Sequence, residues 1–392
     1  MRRRDLLLSA AATGNDSRAI LYTARASTGF LNPGKRLALA RHGRSRLVAF
    51  DKANEQNFGA YGVFPDGDLL LMSLSVPPDW KTRNFYDYYP QSRTRVWKGN
   101  PRTGALEELC RRQTIGNFVS PCLVMPGGAR LAVTVIAGGK SVLYTMNLDG
   151  ENAIALTSPS EYVYGVSLSP DGARFAFHAD YKIGVVDVDG RERRTMPAGR
   201  GELCFGTSWS PDGKLVAFQI CMAKEDPGHD WSAIAVTDME TVTRLTPPAS
   251  AWFGASYGPA TNPGGGSNIP GWYDASRVLF PMRIEGSRTP WQYAPNRPDK
   301  DHFNRDFRPK EARGGVHLAL VDVRSRHIEA LTKPEEGRWD FRPVVSGGEV
   351  AYVSARTGGS PQLRVVDRAG RIREFRSAGS GGAEHPMWIT ER

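Results

Sequence analysis

The chain has 392 residues, with 51 Lys and Arg against 41 Asp and Glu, a formal net charge of +10. Hydrophobic residues at 40% and aromatics at 10% are ample for a packed core, while 42 Gly and 27 Pro suit many turns and few helices. The positive charge favours an anionic partner, but Lys and Arg are scattered and do not interleave with aromatics along one helix, which argues against nucleic acid. Four cysteines without metal-ligand spacing exclude a disulfide scaffold, and no apolar stretch is long enough to span a membrane.

In chain order, Arg2-Arg3-Arg4-Asp5-Leu6-Leu7-Leu8-Ser9 resembles a twin-arginine export signal whose apolar region stops short at Ala12. Residues 1–16 therefore read as an export signal or a basic terminus, and 17–392 as one domain. The signal reading implies a periplasmic or secreted protein. Three strands follow, at Ala19–Ala24, Arg36–Ala40 and Arg46–Phe50, with no unit of their own in front. The next unit has strands at Phe58–Phe64 and Leu69–Leu74 around Pro65-Asp66-Gly67, then a polar, aromatic insertion over Pro77–Thr94. Another spans Phe118 to Leu156 around Pro126-Gly127-Gly128.

Two clear repeats come next. Ser169-Pro170-Asp171-Gly172 and Ser210-Pro211-Asp212-Gly213 each join two apolar strands, and a third strand ends at Asp187 or Asp238. Pro presets φ, Asp bonds the local backbone and Gly takes φ > 0, so each is a tight turn. Four short antiparallel strands at a fixed period are the mark of a β-propeller blade. A sixth unit is interrupted by Pro247–Asn268 and by Glu285–Gly314, a seventh runs from Trp339 to Phe375, and Glu384–Ile389 reads as one more innermost strand. Three strands at the start and one at the end make a blade. The expectation is an all-β, seven-bladed propeller of four-stranded blades closed by the two ends, a monomer. Cys204 and Cys221 straddle the second turn symmetrically and are expected to face each other, as two buried thiols or as a disulfide.

The tight turns join the two innermost strands on one rim, so every long insertion falls on the other. Long loops in compact domains are usually functional, which places a ligand site at that axial mouth. Lys81, Arg83, Tyr88 and Arg297 sit on the insertions, and Asn117 and Glu202 begin innermost strands, with Trp272 and Asp340 in the same strand class. Aromatics beside cations suit sugars that carry acid groups. His385 begins the last innermost strand and His229 lies in an insertion. No HxH, HExxH or Cys/His cluster and no Gly-x-Ser-x-Gly elbow is present.

The Ser-Pro-Asp-Gly, Ala-Phe and Val-Asp-Val-Asp-Gly elements resemble TolB-type propeller repeats. Phe177-His178-Ala179-Asp180-Tyr181 and Trp209-Ser210-Pro211-Asp212-Gly213 look like the secreted bacterial propellers related to oligogalacturonate lyases. That resemblance implies binding, and cleavage by β-elimination, of an anionic uronate oligo- or polysaccharide. It also implies Mn²⁺ held by a pair of histidines ahead of a Pro; here the run is Asp340-Phe341-Arg342-Pro343, without either, so no cofactor is assigned. For β-elimination, Arg342 or Arg283 would neutralise the carboxylate, His385 or His229 would be the base and Tyr164 the acid. The competing expectation is a non-catalytic propeller that binds protein or glycan.

Overall fold

The computed structural model describes residues 18–25, 36–50, 59–75, 93–137, 140–197, 199–222, 231–253, 268–288, 291–293, 305–307, 312–357, 359–379 and 381–390. The export-signal reading and the insertion residues Lys81, Arg83, Tyr88, His229 and Arg297 lie outside them. Every regular element among them is a β-strand, and the sheets are antiparallel apart from one parallel bridge and mostly four-stranded. No helix there is long and apolar enough to cross a membrane.

The expected composite sheet is present. Arg18–Arg25 pairs antiparallel with Gly382–Thr390 on one side and with Arg36–Arg41 on the other, and Arg44–Leu47 forms the outer edge. Ala378 N donates to Tyr22 Oη at 2.9 Å, and Arg18 forms an ion pair with Glu349 at 3.0 Å. Gly59–Val63, Leu69–Ser75, Arg93–Gly99 and Leu106–Leu109 make the next sheet; Asn117–Val124 to Ile154–Ala155 and Val163–Leu168 to Arg193–Thr195 make two more.

The last three units join into one 13-stranded sheet, a departure from separate blades. A short strand that sequence reading missed, Ala251–Trp252, pairs with Trp231–Thr237 and with Arg277–Arg283, and Val316 bridges Trp339. An edge strand offers a row of unpaired backbone groups, and here a neighbouring segment takes them up. The Glu285–Gly314 insertion carries a two-stranded element, Trp291–Tyr293 with Arg305–Phe307.

The repeated turn is built by its own side chains. Ser169 Oγ donates to Asp171 Oδ1 at 2.5 Å and accepts from Arg174 N at 2.9 Å, while Gly172 N donates to Ser169 O at 2.8 Å. Ser210, Asp212 and Gly213 repeat the pattern. Hydrogen bonding from the serine hydroxyl holds both aspartates below the usual carboxylate range. The turns also interlock between units: a Cβ on Gly172 would lie 2.5 Å from Pro126 Cγ, and one on Gly128 2.7 Å from Pro65 Cδ.

A tryptophan of one innermost strand also reaches back to the strand of the unit before it. Trp209 Nε1 donates to Ser167 O (3.3 Å), Trp272 Nε1 to Ser208 O (3.0 Å) and Trp388 Nε1 to Val344 O (3.1 Å). Successive units are therefore stapled along their innermost edges.

The cysteine expectation is corrected by one residue. Leu203 pairs with Cys221 and Cys204 with Ile220, because a bulge between Phe205 and Ser208 offsets the register. Neighbouring residues point to opposite faces of a sheet, so the two thiols do not meet across the pair. All four cysteines are buried free thiols.

Candidate functional site at the innermost strands

Four of the innermost strands are broken at a corresponding place. In Val163–Leu168 and Glu202–Trp209 the extra residue is Gly165 (φ 59°) and Gly206 (φ 58°), each the left-handed first residue of a β-bulge. In Arg338–Ser346 and Gly382–Thr390 the bulges hold Arg342 (φ 52°) and His385 (φ 48°), each followed by Pro. A left-handed conformation in a residue with a long side chain costs ~1–3 kcal/mol and persists only where surrounding structure imposes it.

Side chains from adjacent units brace three of these bulges. Gly206 N donates to His178 Nδ1 at 3.2 Å, and Arg342 N donates to Asn268 Oδ1 at 2.9 Å. Asn268 is fully buried and gives its Nδ2 to Trp252 O at 3.0 Å. Thr207 Oγ1 donates to Gly165 O at 2.6 Å. The bulges thus lie side by side, and the last two meet: Arg342 Nη1 is 2.8 Å from His385 Nδ1.

A guanidinium only donates, so His385 Nδ1 is the acceptor and the imidazole carries its proton on Nε2. In that tautomer both side chains carry N–H groups and the ring has no lone pair outside the contact. That is chemistry for gripping an oxyanion, a carboxylate among them, with charge-assisted bonds. While the pair is intact, His385 is a donor and not a base.

The other sequence candidates are distributed differently. Asp340 is buried, its Oδ1 accepting from Ser354 Oγ at 2.6 Å and its Oδ2 from Thr332 Oγ1 at 2.8 Å; burial raises its carboxyl above the ordinary range. Glu202 accepts from Gly199 N at 2.8 Å and pairs with Arg244, as Glu161 pairs with Arg193 at 2.5 Å. These carboxylates clamp the connection into the innermost strand. Trp272 is buried, its indole spent on Ser208.

Arg283 donates from Nη2 to Ser287 O at 2.8 Å and lies 4.2 Å over the Trp231 ring. Asn117 lines an open polar depression of about 560 Å³ with Arg93, Gln113 and Thr114. Tyr164 packs 5.9 Å from His178 and 6.4 Å from Tyr162. Among the described residues no group of three or more His, Cys, Asp or Glu could hold a metal ion.

Two determinants escaped sequence reading. Asn268 ends a Gly-rich stretch and carries no motif. The bulge position did leave a signal, since Gly165, Gly206 and Arg342 each stand five residues ahead of Pro170, Pro211 and Gly347, the last in the Ser346-Gly347-Gly348 turn that joins the two innermost strands of the seventh unit.

No protein-family profile matches the chain. Among solved structures, puromycin hydrolase (S511A mutant complexed with PGG) is 17% identical over 93% of this chain and 52% of its own, with a TM-score of 0.58. A puromycin-hydrolyzing peptidase of Mycobacterium tuberculosis is 12% identical over the same shares, with a TM-score of 0.55. TolB from Acinetobacter baumannii is 15% identical over 80% of this chain and 63% of its own, with a TM-score of 0.46. The chain spans about half the length of the puromycin hydrolase and of the mycobacterial peptidase, and at these identities the likeness is one of fold. The Ser-Pro-Asp-Gly repeat and the antiparallel, mostly four-stranded sheets it helps to organise are those of a β-propeller fold.

Proposed function

We propose that the protein is a seven-bladed propeller, its ring closed by the sheet that pairs its two ends, and that it binds a uronate-type acidic carbohydrate at the axial mouth. The observation that carries the reading is the Arg342–His385 pair, two non-glycine residues held at positive φ in bulges and 2.8 Å apart. Strain retained at such a point argues for a function that needs those side chains there. The net charge of +10 agrees with an anionic ligand. A monomer exported from the cytoplasm is the corresponding proposal for state and location.

Binding is favoured over β-elimination, because an imidazole whose Nδ1 accepts from Arg342 has no free lone pair to take the C5 proton. The test is calorimetric titration of galacturonate oligomers into the protein and into Arg342→Gly, with absorbance followed for an unsaturated product. Binding by the parent protein alone is the expected result. Accumulating product would make the protein a lyase, and no binding of any uronate would end the reading.

A further inference from the structure

Tyr181 occupies an unusual place. The strands Arg174–Ala179 and Lys182–Asp187 are joined by Asp180 and Tyr181, with φ of 46° and 64°. A two-residue hairpin with both φ positive is the type I′ turn, whose second position strongly favours Gly. Here it holds a bulky aromatic, 52% exposed. A bulky side chain at positive φ is a genuine outlier, and burial does not account for this one.

The tip is tied on both sides. Asp180 N donates to Tyr162 O and Tyr162 N to Asp180 Oδ1, both at 3.3 Å, while Cys204 N donates to Tyr181 O at 2.9 Å. Around it the rings form a continuous row at the rim where innermost strands begin. Tyr162 and Tyr164 lie 6.4 Å apart and nearly parallel; His178 stands edge-on to Phe205 at 5.5 Å, as Tyr181 does at 5.6 Å. Lys140 Nζ sits 4.1 Å over Tyr162, itself 42% exposed. On the axial side the row runs to Gly206, which abuts Ile269, whose neighbour Asn268 bonds Arg342 N.

We infer that Tyr162, Tyr164, Phe205 and Tyr181 form a stacking platform for the successive sugar rings of a carbohydrate chain whose terminal carboxylate lies at Arg342 and His385. The inference rests on the proposed acidic-carbohydrate reading and adds the length of the ligand to it. Tyr162 and Tyr181 are exposed and Tyr164 is half-buried, and tyrosine carries an apolar ring and a hydroxyl together, which suits a sugar's apolar face and its hydroxyl rim. Lys140 adds a cation at the outer end for a further carboxylate. A peptide would instead call for pockets that receive alternate side chains.

The test is calorimetric titration of mono-, di-, tetra- and hexagalacturonate into the parent protein, Tyr162→Ala, Tyr181→Asn and Arg342→Gly. Asn removes the ring and tolerates positive φ, so the hairpin is kept. The parent affinity should rise at least tenfold from monomer to hexamer. Each tyrosine variant should lose about tenfold for the hexamer and little for the monomer, and Arg342→Gly should abolish binding at every length. Length-independent binding that still needs Arg342 would overturn the platform and leave the mouth reading standing. Silence toward every uronate would overturn both. A Glu- and Tyr-containing tetrapeptide that binds through Tyr181 where the hexamer does not would reassign the ledge to peptides.

Discussion

Arg342 Nη1 lies 2.8 Å from His385 Nδ1, and each residue holds the left-handed bulge position that Gly165 and Gly206 hold in other innermost strands. Glycine is the unstrained occupant there. Arg342→Gly should therefore leave stability unchanged or raise it by about 1 kcal/mol, because Asn268 still receives the backbone N–H. The same change should abolish uronate binding. Thermal melts beside titration check this; a melting point lowered by many degrees would show that the side chain is there for the fold.

The terminal sheet makes a second expectation. Gly382–Thr390 is the innermost strand of a sheet whose other three strands come from the first described segments, and Tyr22, Ala24 and Ala383 pack in one buried cluster with Leu363 and Phe375. Removing the residues after Ser380 should expose that cluster and one edge of Arg18–Arg25. A truncated protein that melts like the full-length chain would refute closure through this sheet.

Much of this architecture was legible, and the reason is local. Pro-Asp-Gly turns are fixed by the chemistry of four adjacent residues, so Ser169–Gly172 and Ser210–Gly213 located the strands on either side. Bulges are not local in that sense: the offset at Gly206, which moved Cys221 opposite Leu203, depends on how His178 of the preceding unit meets the backbone. The sequence places His385 at the start of an innermost strand, whereas its meeting with Arg342 and the left-handed backbone of both depend on the packing of adjacent units. Ala251–Trp252 is too short to show any periodicity.

Two buried groups should give the stability curve opposite slopes. His317 is pushed down to about 4 by burial, against ~6.5 in an unfolded chain. The unfolded state therefore takes up the proton first as pH falls, and stability is lost between pH 6.5 and 4. From pH 7 to 5 the loss should be ~2 kcal/mol, at about 1.4 kcal/mol per pH unit below the unfolded value. His317→Leu should remove it, measured as the shift of the urea midpoint between those pH values. An equal shift in both proteins would place the acid sensitivity elsewhere.

Asp340 works the other way. Its carboxyl is raised by burial, with the hydroxyls of Ser354 and Thr332 offsetting part of the desolvation. A raised carboxyl contributes stability that is full below the ordinary carboxylate range, ~4, and is lost as pH rises through the folded value. Asp340→Asn keeps a donor and an acceptor for the two hydroxyls. Its stability relative to the parent should therefore improve on going from pH 4 to pH 7, read from urea midpoints. A difference independent of pH would mean the carboxyl titrates normally.

The last expectation separates backbone strain from close packing at two equivalent glycines. Gly172 (φ 72°) and Gly213 (φ 69°) close the same turn, so alanine is equally strained at either. A Cβ at Gly172, however, would meet Pro126 Cγ at 2.5 Å, whereas at Gly213 the nearest atom is Pro170 Cδ at 3.8 Å, ordinary van der Waals contact. A clash with a proline ring cannot be relieved by a rotamer change, so the interlocked turns must separate or shift. Gly213→Ala should cost ~1 kcal/mol from strain alone, and Gly172→Ala that amount plus ~1–3 kcal/mol of overpacking. Urea unfolding of the two variants side by side checks the ordering. Equal losses would show that the Pro126–Gly172 contact between neighbouring units is loose, and that this rim is not what sets their spacing.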